Sequence, residues 1–192
     1  MAKKPVIYLY PKQATEITVS VELTGAEMTA EYPKTVNGKW KVLATPRGNL
    51  TDLSTGRKYS YLFWEAEKAG GFQLNLDQAQ CVKQSDICEY LEKSLKVLGL
   101  NPKEANDFMV YWLPVLERNP YSIIEWKTNE YEDMAKLCVS PKPDTVIRVF
   151  MVFQKSQTMV NTGVRQLQKA TRKGFSVVEW GGCNMDESGS VR

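Results

Sequence analysis

The hydrophobic period of this chain changes from two residues to about 3.6 and back again, which restricts it to a mixed fold of sheet and helix. Ile17, Val19, Val21 and Leu23 alternate strictly with Thr18, Ser20, Glu22 and Thr24, the mark of a strand with one buried and one wet face. Residues 86 to 98 instead place Ile87, Leu91, Leu95 and Leu98 on one helical stripe, with Glu89, Glu92, Lys93 and Lys96 on the other side. From Tyr121 the pattern returns to strands at 121–126, 145–153 and 175–180.

Local signals divide these stretches. Gly25 and Pro33 bound a strand over Met28 to Tyr32, Asn37-Gly38 predicts a tight hairpin leading into Trp40 to Ala44, and Tyr59 to Trp64 reads as one central strand. Asp86 and Glu89 have capping-box spacing, and Gly99 suits the stop of that helix. A second helix begins at Asn101-Pro102-Lys103-Glu104, again with capping-box spacing and with proline at its first position. Pro114 predicts a kink or an end there, because proline removes a backbone donor. Gly70-Gly71 and Gly181-Gly182 read as turns, and a short helix is expected in the polar stretch before Lys173, with Lys169 to Lys173 as its solvated end. The expected fold class is α+β: an N-terminal antiparallel β-sandwich or meander, then a helix pair and a further β-sheet. Residues 1–68 form the β-rich part, 69–182 an α+β part sharing contacts with it, and 183–192 a polar tail.

Composition narrows the chemistry. The chain contains no histidine, so Ser-His-Asp triads, Cys-His dyads and histidine-bearing zinc motifs are excluded. Its 25 basic and 22 acidic residues are interspersed and leave a net charge of +3, too little to imply nucleic acid as a partner. The spacing of Cys81, Cys88, Cys138 and Cys183 matches no metal pattern. The reading is four free thiols, the first three buried, with a Cys81–Cys88 bridge as the alternative. No cofactor or metal motif is found. No apolar run approaches the length of a membrane helix and no leader precedes Val6, so an intracellular protein is expected, without membrane insertion.

The segments Lys4 to Pro11, Tyr59 to Glu65, Val110 to Pro114, Ser140 to Asp144, Arg148 to Met151 and Val177 to Gly182, taken together, resemble a family of hypothetical proteins. Its bacterial members are often exported modules beside cell-surface domains, and related segments occur in large DNA viruses and their protist hosts. The resemblance carries no assigned catalytic residue. Since this chain lacks the leader of the exported members, it implies a virion setting, as a minor capsid or other structural protein.

Three Glu-Trp neighbours carry the remaining chemical interest: Trp64-Glu65, Glu125-Trp126 and Glu179-Trp180. Paired carboxylates across a cleft would serve glycan hydrolysis, with Glu65, Glu125 and Glu179 as the candidates. The competing expectation is that such glutamates neutralise Arg148, which lies within an apolar strand and is the candidate for a structural ion pair. Tyr8, Tyr10, Tyr59 and Tyr61 could form a glycan- or peptide-binding platform if they faced outward, although such residues more often fill a core. Asn49-Leu50-Thr51 fits a glycosylation acceptor and is read as a chance match. The leading expectation is a non-enzymatic structural or interaction protein, a building block whose partners are other proteins in an assembly. The second helix carries more apolar residues than one stripe can bury, so at least one of Met109, Trp112 and Leu116 is expected to stay exposed as an interaction patch.

Overall fold

The computed structural model of the protein describes residues 2–68, 72–127, 129–163 and 166–187. The strands are β1 (Lys3–Tyr10), β2 (Thr15–Leu23), β3 (Ala26–Tyr32), β4 (Trp40–Ala44), β5 (Leu50–Asp52), β6 (Lys58–Tyr59), β7 (Leu62–Lys68), β8 (Gln80–Lys83), β9 (Tyr121–Lys127), β10 (Ala135–Ser140), β11 (Thr145–Ser156) and β12 (Ser176–Asn184). The helices are α1 (Ile87–Val97), α2 (Pro102–Leu116) and α3 (Asn129–Met134). The class is α+β, as the change of period requires.

The strands form a seven-stranded sheet, ordered β3-β7-β1-β12-β11-β9-β8, and a five-stranded sheet, ordered β10-β2-β4-β5-β6. All pairings in the larger sheet are antiparallel except β11 with β12, which run parallel from Thr145↔Ser176 to Phe153↔Asn184. Alternation along its central strands sends side chains into two cores. Val6, Tyr8, Val149, Met151, Val178 and Trp180 meet α1 and α2. Ile7, Leu9, Phe150, Val152 and Val177 face Ile17, Val19, Trp40, Val42 and Ala44 of the smaller sheet. The result is three layers, helices over sheet over sheet, so the central strands are apolar on both faces.

Because the larger sheet draws on both β1 and β12, the β-rich N-terminal part and the later α+β part share one sheet as well as contacts. The N-terminal strands do not form a sandwich among themselves. β1, β3 and β7 join the larger sheet, and β2, β4, β5 and β6 join the smaller. This division breaks the expected strand 59–64 at Ser60-Tyr61, where the chain passes from one sheet to the other. Asn37 and Gly38 both have positive φ and close a hairpin with Val36 paired to Lys39, but β3 and β4 on either side of it lie in different sheets.

The helices follow their sequence signals with one exception. Asn101 accepts from the Glu104 amide at 2.9 Å while Glu104 accepts from the Asn101 amide at 2.8 Å, completing the capping box of α2. The equivalent box at Asp86 does not form, since Asp86 is in a helical conformation, preceded by a short 3-10 turn, and bonds Ser85 instead. α2 continues two residues past Pro114 before ending. No helix forms among the described residues between β11 and β12. That segment is irregular and is tied down by Ala170 N–H donating to Val97 and Thr145 Oγ1 donating to Lys173. Gly181 and Gly182, expected as a turn, extend β12, and the expected polar tail begins inside that strand. Gly70-Gly71 and residues 188–192 lie outside the described residues. None of the four cysteines is in a disulfide: Cys81 and Cys183 are buried, Cys138 is partly buried, and Cys88, expected inside, is exposed on α1.

Gly182 explains how the indole of Trp112 comes down onto the sheet. A Cβ at that position would lie 2.8 Å from Trp112 Cζ2 and 2.8 Å from the Met151 carbonyl oxygen. Gly182→Ala is therefore expected to destabilise the fold by about 1–3 kcal/mol through overpacking, measured by urea unfolding.

Candidate functional site

The three glutamates singled out from sequence do not converge. Glu65 lies on the helix face of β7, where its carboxylate accepts the Lys4 amide at 3.1 Å, supporting a bulge at which Lys4 has φ 56°. Glu125 and Glu179 lie on the opposite face. Glu125 stands beside Val152 and Glu179 beside Arg148. Two inter-strand spacings and four residues along β11 separate them, on the order of 16 Å between Cα atoms, against roughly 5–10 Å for a glycosidase pair. Each is also engaged: Glu125 bonds Lys127 Nζ at 3.0 Å and the Asn75 amide at 2.7 Å. The carboxylate-pair arrangement for glycan hydrolysis is absent at these residues.

Glu179 is the centre of a buried polar cluster between the sheets. It has no exposure to solvent, accepts Arg148 Nε at 2.6 Å, and accepts Trp64 Nε1 at 2.8 Å. Arg148 also donates to the Ala135 carbonyl at 2.5 Å, and its guanidinium lies 4.3 Å from the centre of the Tyr131 ring. Tyr131 in turn stacks between Trp64 and Phe150. Burial raises the Tyr131 phenol well above its usual range, with the Glu179 charge adding to it. The Arg148 guanidinium is held in its charged form by Glu179, against the opposing effect of burial.

A second cluster joins the helices to the irregular segment before β12. Glu104, buried in the first turn of α2, receives Arg172 Nη1 at 3.0 Å, and Arg172 also donates to the Gly99 carbonyl at 2.7 Å. Arg172 is thus a structural tie, not the solvated helix end expected of Lys169 to Lys173. Nearby, Tyr8 donates to Asp107 at 2.8 Å and accepts from Trp180 Nε1 at 3.3 Å.

Of the three residues expected to leave a patch on α2, Met109 alone keeps partial exposure. Trp112 is 2% exposed and Leu116 fully buried, and Met109 is only partly buried. The over-wide apolar surface is absorbed because α2 packs across several strands of the sheet, where Trp112 meets Phe108 and Phe153. Val110 is the large apolar residue that α2 presents to water. Of the proposed platform, Tyr8 is buried while Tyr10, Tyr59 and Tyr61 are half-buried.

Beside the smaller sheet, Val36 is 61% and Leu53 46% exposed, with Leu43 at the margin. Val36 and Leu53 line an open groove of about 660 Å³ together with Lys34, Lys39, Lys41 and Asp52. None of the three lysines has an ion-pair partner among the described residues. The nearby carboxylates are already satisfied: Glu31 accepts from Thr35, and Glu22 pairs with Lys136 at 3.2 Å. Burial alone would raise the Asp52 carboxyl, but bonds from the hydroxyls and amides of Ser54 and Thr55 outweigh it and hold the group below the usual carboxylate range. The groove therefore combines positive charge with apolar contact, and sequence reading missed it because its residues come together only when the 33–39 and 53–54 loops fold beside β4.

Among the described residues no group of three or more His, Cys, Asp or Glu could hold a metal ion, and no helix is long and apolar enough to cross a membrane. Comparison of the chain with protein-family models, curated proteins and solved structures gave no match.

Two outcomes test the polar clusters. Arg148→Ala leaves Glu179 charged in a dry interior and is expected to cost about 3–5 kcal/mol, with Arg148→Lys costing less, by chemical denaturation. The lowered Asp52 pKa contributes stability in full above the unfolded value of about 4, and this is lost as pH falls through the folded value. The stability gap between wild type and Asp52→Ala is thus expected to narrow below about pH 4 in thermal melts across acidic buffers.

Proposed function

We propose that the protein is a non-enzymatic interaction module, an α+β building block that docks an acidic, partly apolar segment of a partner protein in the groove beside β4. The observation that carries this reading is the meeting of Lys34, Lys39 and Lys41, none of them ion-paired among the described residues, with exposed Val36 and Leu53. Lysines would steer and hold carboxylates, and the two aliphatic side chains would lose water on contact. The engagement of Asp52 by the 54–55 turn and of Glu31 by Thr35 supports it, because neither carboxylate forms an ion pair with the three lysines among the described residues. The three-layer scaffold adds a rigid support, so that little ordering is required when the partner binds. The particle setting implied by the family resemblance, as a minor structural protein of a large DNA virus, is part of the same proposal.

The test uses fluorescence polarisation with a labelled Glu/Leu-containing dodecapeptide, beside native purification from the source. Saturable binding that weakens with salt and is abolished in Lys34→Glu/Lys39→Glu/Lys41→Glu, with an unchanged melting temperature, is the expected result. Recovery as a free monomer at low salt, together with peptide binding indifferent to the triple variant, would count against the proposal.

A further inference from the structure

We infer that a second groove, walled by Tyr32, Tyr59 and Tyr61, is a binding site for a neutral oligosaccharide. It shares no lining residue with the lysine groove and does not depend on the function proposed for it.

The site forms where the chain leaves the smaller sheet for the larger. Tyr59 ends β6, Tyr61 lies in the crossover, and Tyr32 ends β3 on the neighbouring sheet edge. Together with Asn49, Thr51 and Ser60 they border an open cleft of about 730 Å³, within the roughly 300–1,000 Å³ range of small-ligand sites. Tyr32 is 57% exposed and meets Tyr59 edge-on, with ring centres 5.4 Å apart and planes at 86°. This leaves much of an aromatic ring open to water at a concave site.

A sugar ring suits such a surface. Its C–H faces carry slight positive charge and stack on the negative face of an aromatic ring, while its hydroxyls each donate and accept. The side-chain polar groups of Tyr32, Asn49, Thr51, Tyr59, Ser60 and Tyr61 make no hydrogen bond within the described residues, although most of these side chains can both donate and accept. An extended proline-rich peptide, the other ligand of aromatic grooves, offers mainly carbonyl acceptors and would use only half of that capacity. Lys58 is the single charged residue of the lining and the other seven residues are neutral, so the cleft admits a neutral ligand and offers no carboxylate to a cationic one.

The walls are also set in advance. Tyr61 packs edge-on against buried Tyr8 at 5.5 Å. The loop carrying Asn49 is pinned at Gly48, whose φ is 80° and where a Cβ would lie 2.6 Å from the Tyr10 ring. Little reorganisation is therefore needed on binding.

The experiment titrates isotopically labelled full chain with cellohexaose, xylohexaose, chitohexaose and maltohexaose, and separately with a proline-rich decapeptide, following amide chemical shifts. The expected result is saturable shifts with at least one hexaose, confined to residues 31–33, 45–51 and 58–61. Tyr32→Ala is expected to weaken that binding by about tenfold or more without lowering the melting temperature. Asn49→Ala serves as a second probe on the opposite wall, and the Lys34→Glu/Lys39→Glu/Lys41→Glu variant should bind the sugar as wild type does. No saturable response to any of the four sugars, shifts located elsewhere, or tighter binding of the peptide in this cleft would each overturn the inference.

Discussion

Glu179 carries a charge at the centre of the molecule with no access to water, and much of the architecture is arranged around that fact. An isolated carboxylate in such a place would be prohibitively unfavourable, so its partners must be present before the interior can close. They come from distant parts of the chain: Trp64 from β7, Arg148 from β11, and Tyr131, stacked under the guanidinium, from α3. The cluster links the N-terminal strands to the C-terminal ones and the larger sheet to the segment leading into the smaller. It also bears on register. Sliding β12 by one residue against β11 would turn Glu179 onto the helix side and Trp180 into the sandwich, leaving Arg148 opposite an apolar side chain. The ion pair adds little net stability compared with a well-packed apolar pair, but it makes the wrong pairing costly.

The helix pair was legible because its signals are local. The Ile87–Leu98 stripe and the Asn101-Pro102-Glu104 cap are contained within a few turns, and they form as the spacing requires. The failure at Asp86 is equally local: a helix cap needs an extended backbone at the capping residue, and the preceding 3-10 turn already places Asp86 in the helical region. Strand existence was also readable from alternation. Sheet membership was not, because period two tells which face is buried and nothing about the neighbour on either side. The break of residues 59–64 into β6 and β7 shows this plainly, since a run that is apolar throughout satisfies a crossover between two sheets as well as one central strand. β8, β10 and α3 were missed for a related reason. They are short and owe their form to the strands they meet, as β10 does to its six-residue pairing with β2.

The candidate sites were legible to a lesser degree. Arg148 stood out as a charge in an apolar strand, a signal that needs no partner to be seen. Its carboxylate could not be chosen among three glutamates, because that choice is made by the parallel register of β11 and β12. Trp112 and Leu116 looked like surplus apolar surface on one helix. They are core because the sheet beneath α2 is broad, and because Gly182 leaves space for an indole that any side chain would deny. The lysine groove was invisible, and of the tyrosine cleft only Tyr59 and Tyr61 were named, for a physical reason: each is lined by residues from separate loops whose proximity is a product of the two-sheet packing.

That packing also explains why the surfaces suited to binding lie on the sandwich side. On the helix side, α1 and α2 cover the central strands, and α1 exposes mainly charged residues such as Glu89, Lys93 and Lys96. Among the described residues no layer covers the smaller sheet, so its outer face and the loops at its ends meet water directly. Such loops can vary in shape without disturbing a core, provided their bases are fixed. Here they are fixed: Trp40 Nε1 donates to the Pro33 carbonyl beneath the 33–39 loop, and Tyr10 closes over Gly48 beneath the 45–49 loop. Rigid bases with exposed, unpaired side chains above them are what recognition needs. Each groove's chemistry then follows from the residues that its loops supply, lysine with valine and leucine in one, and tyrosine with small hydroxyls and an amide in the other.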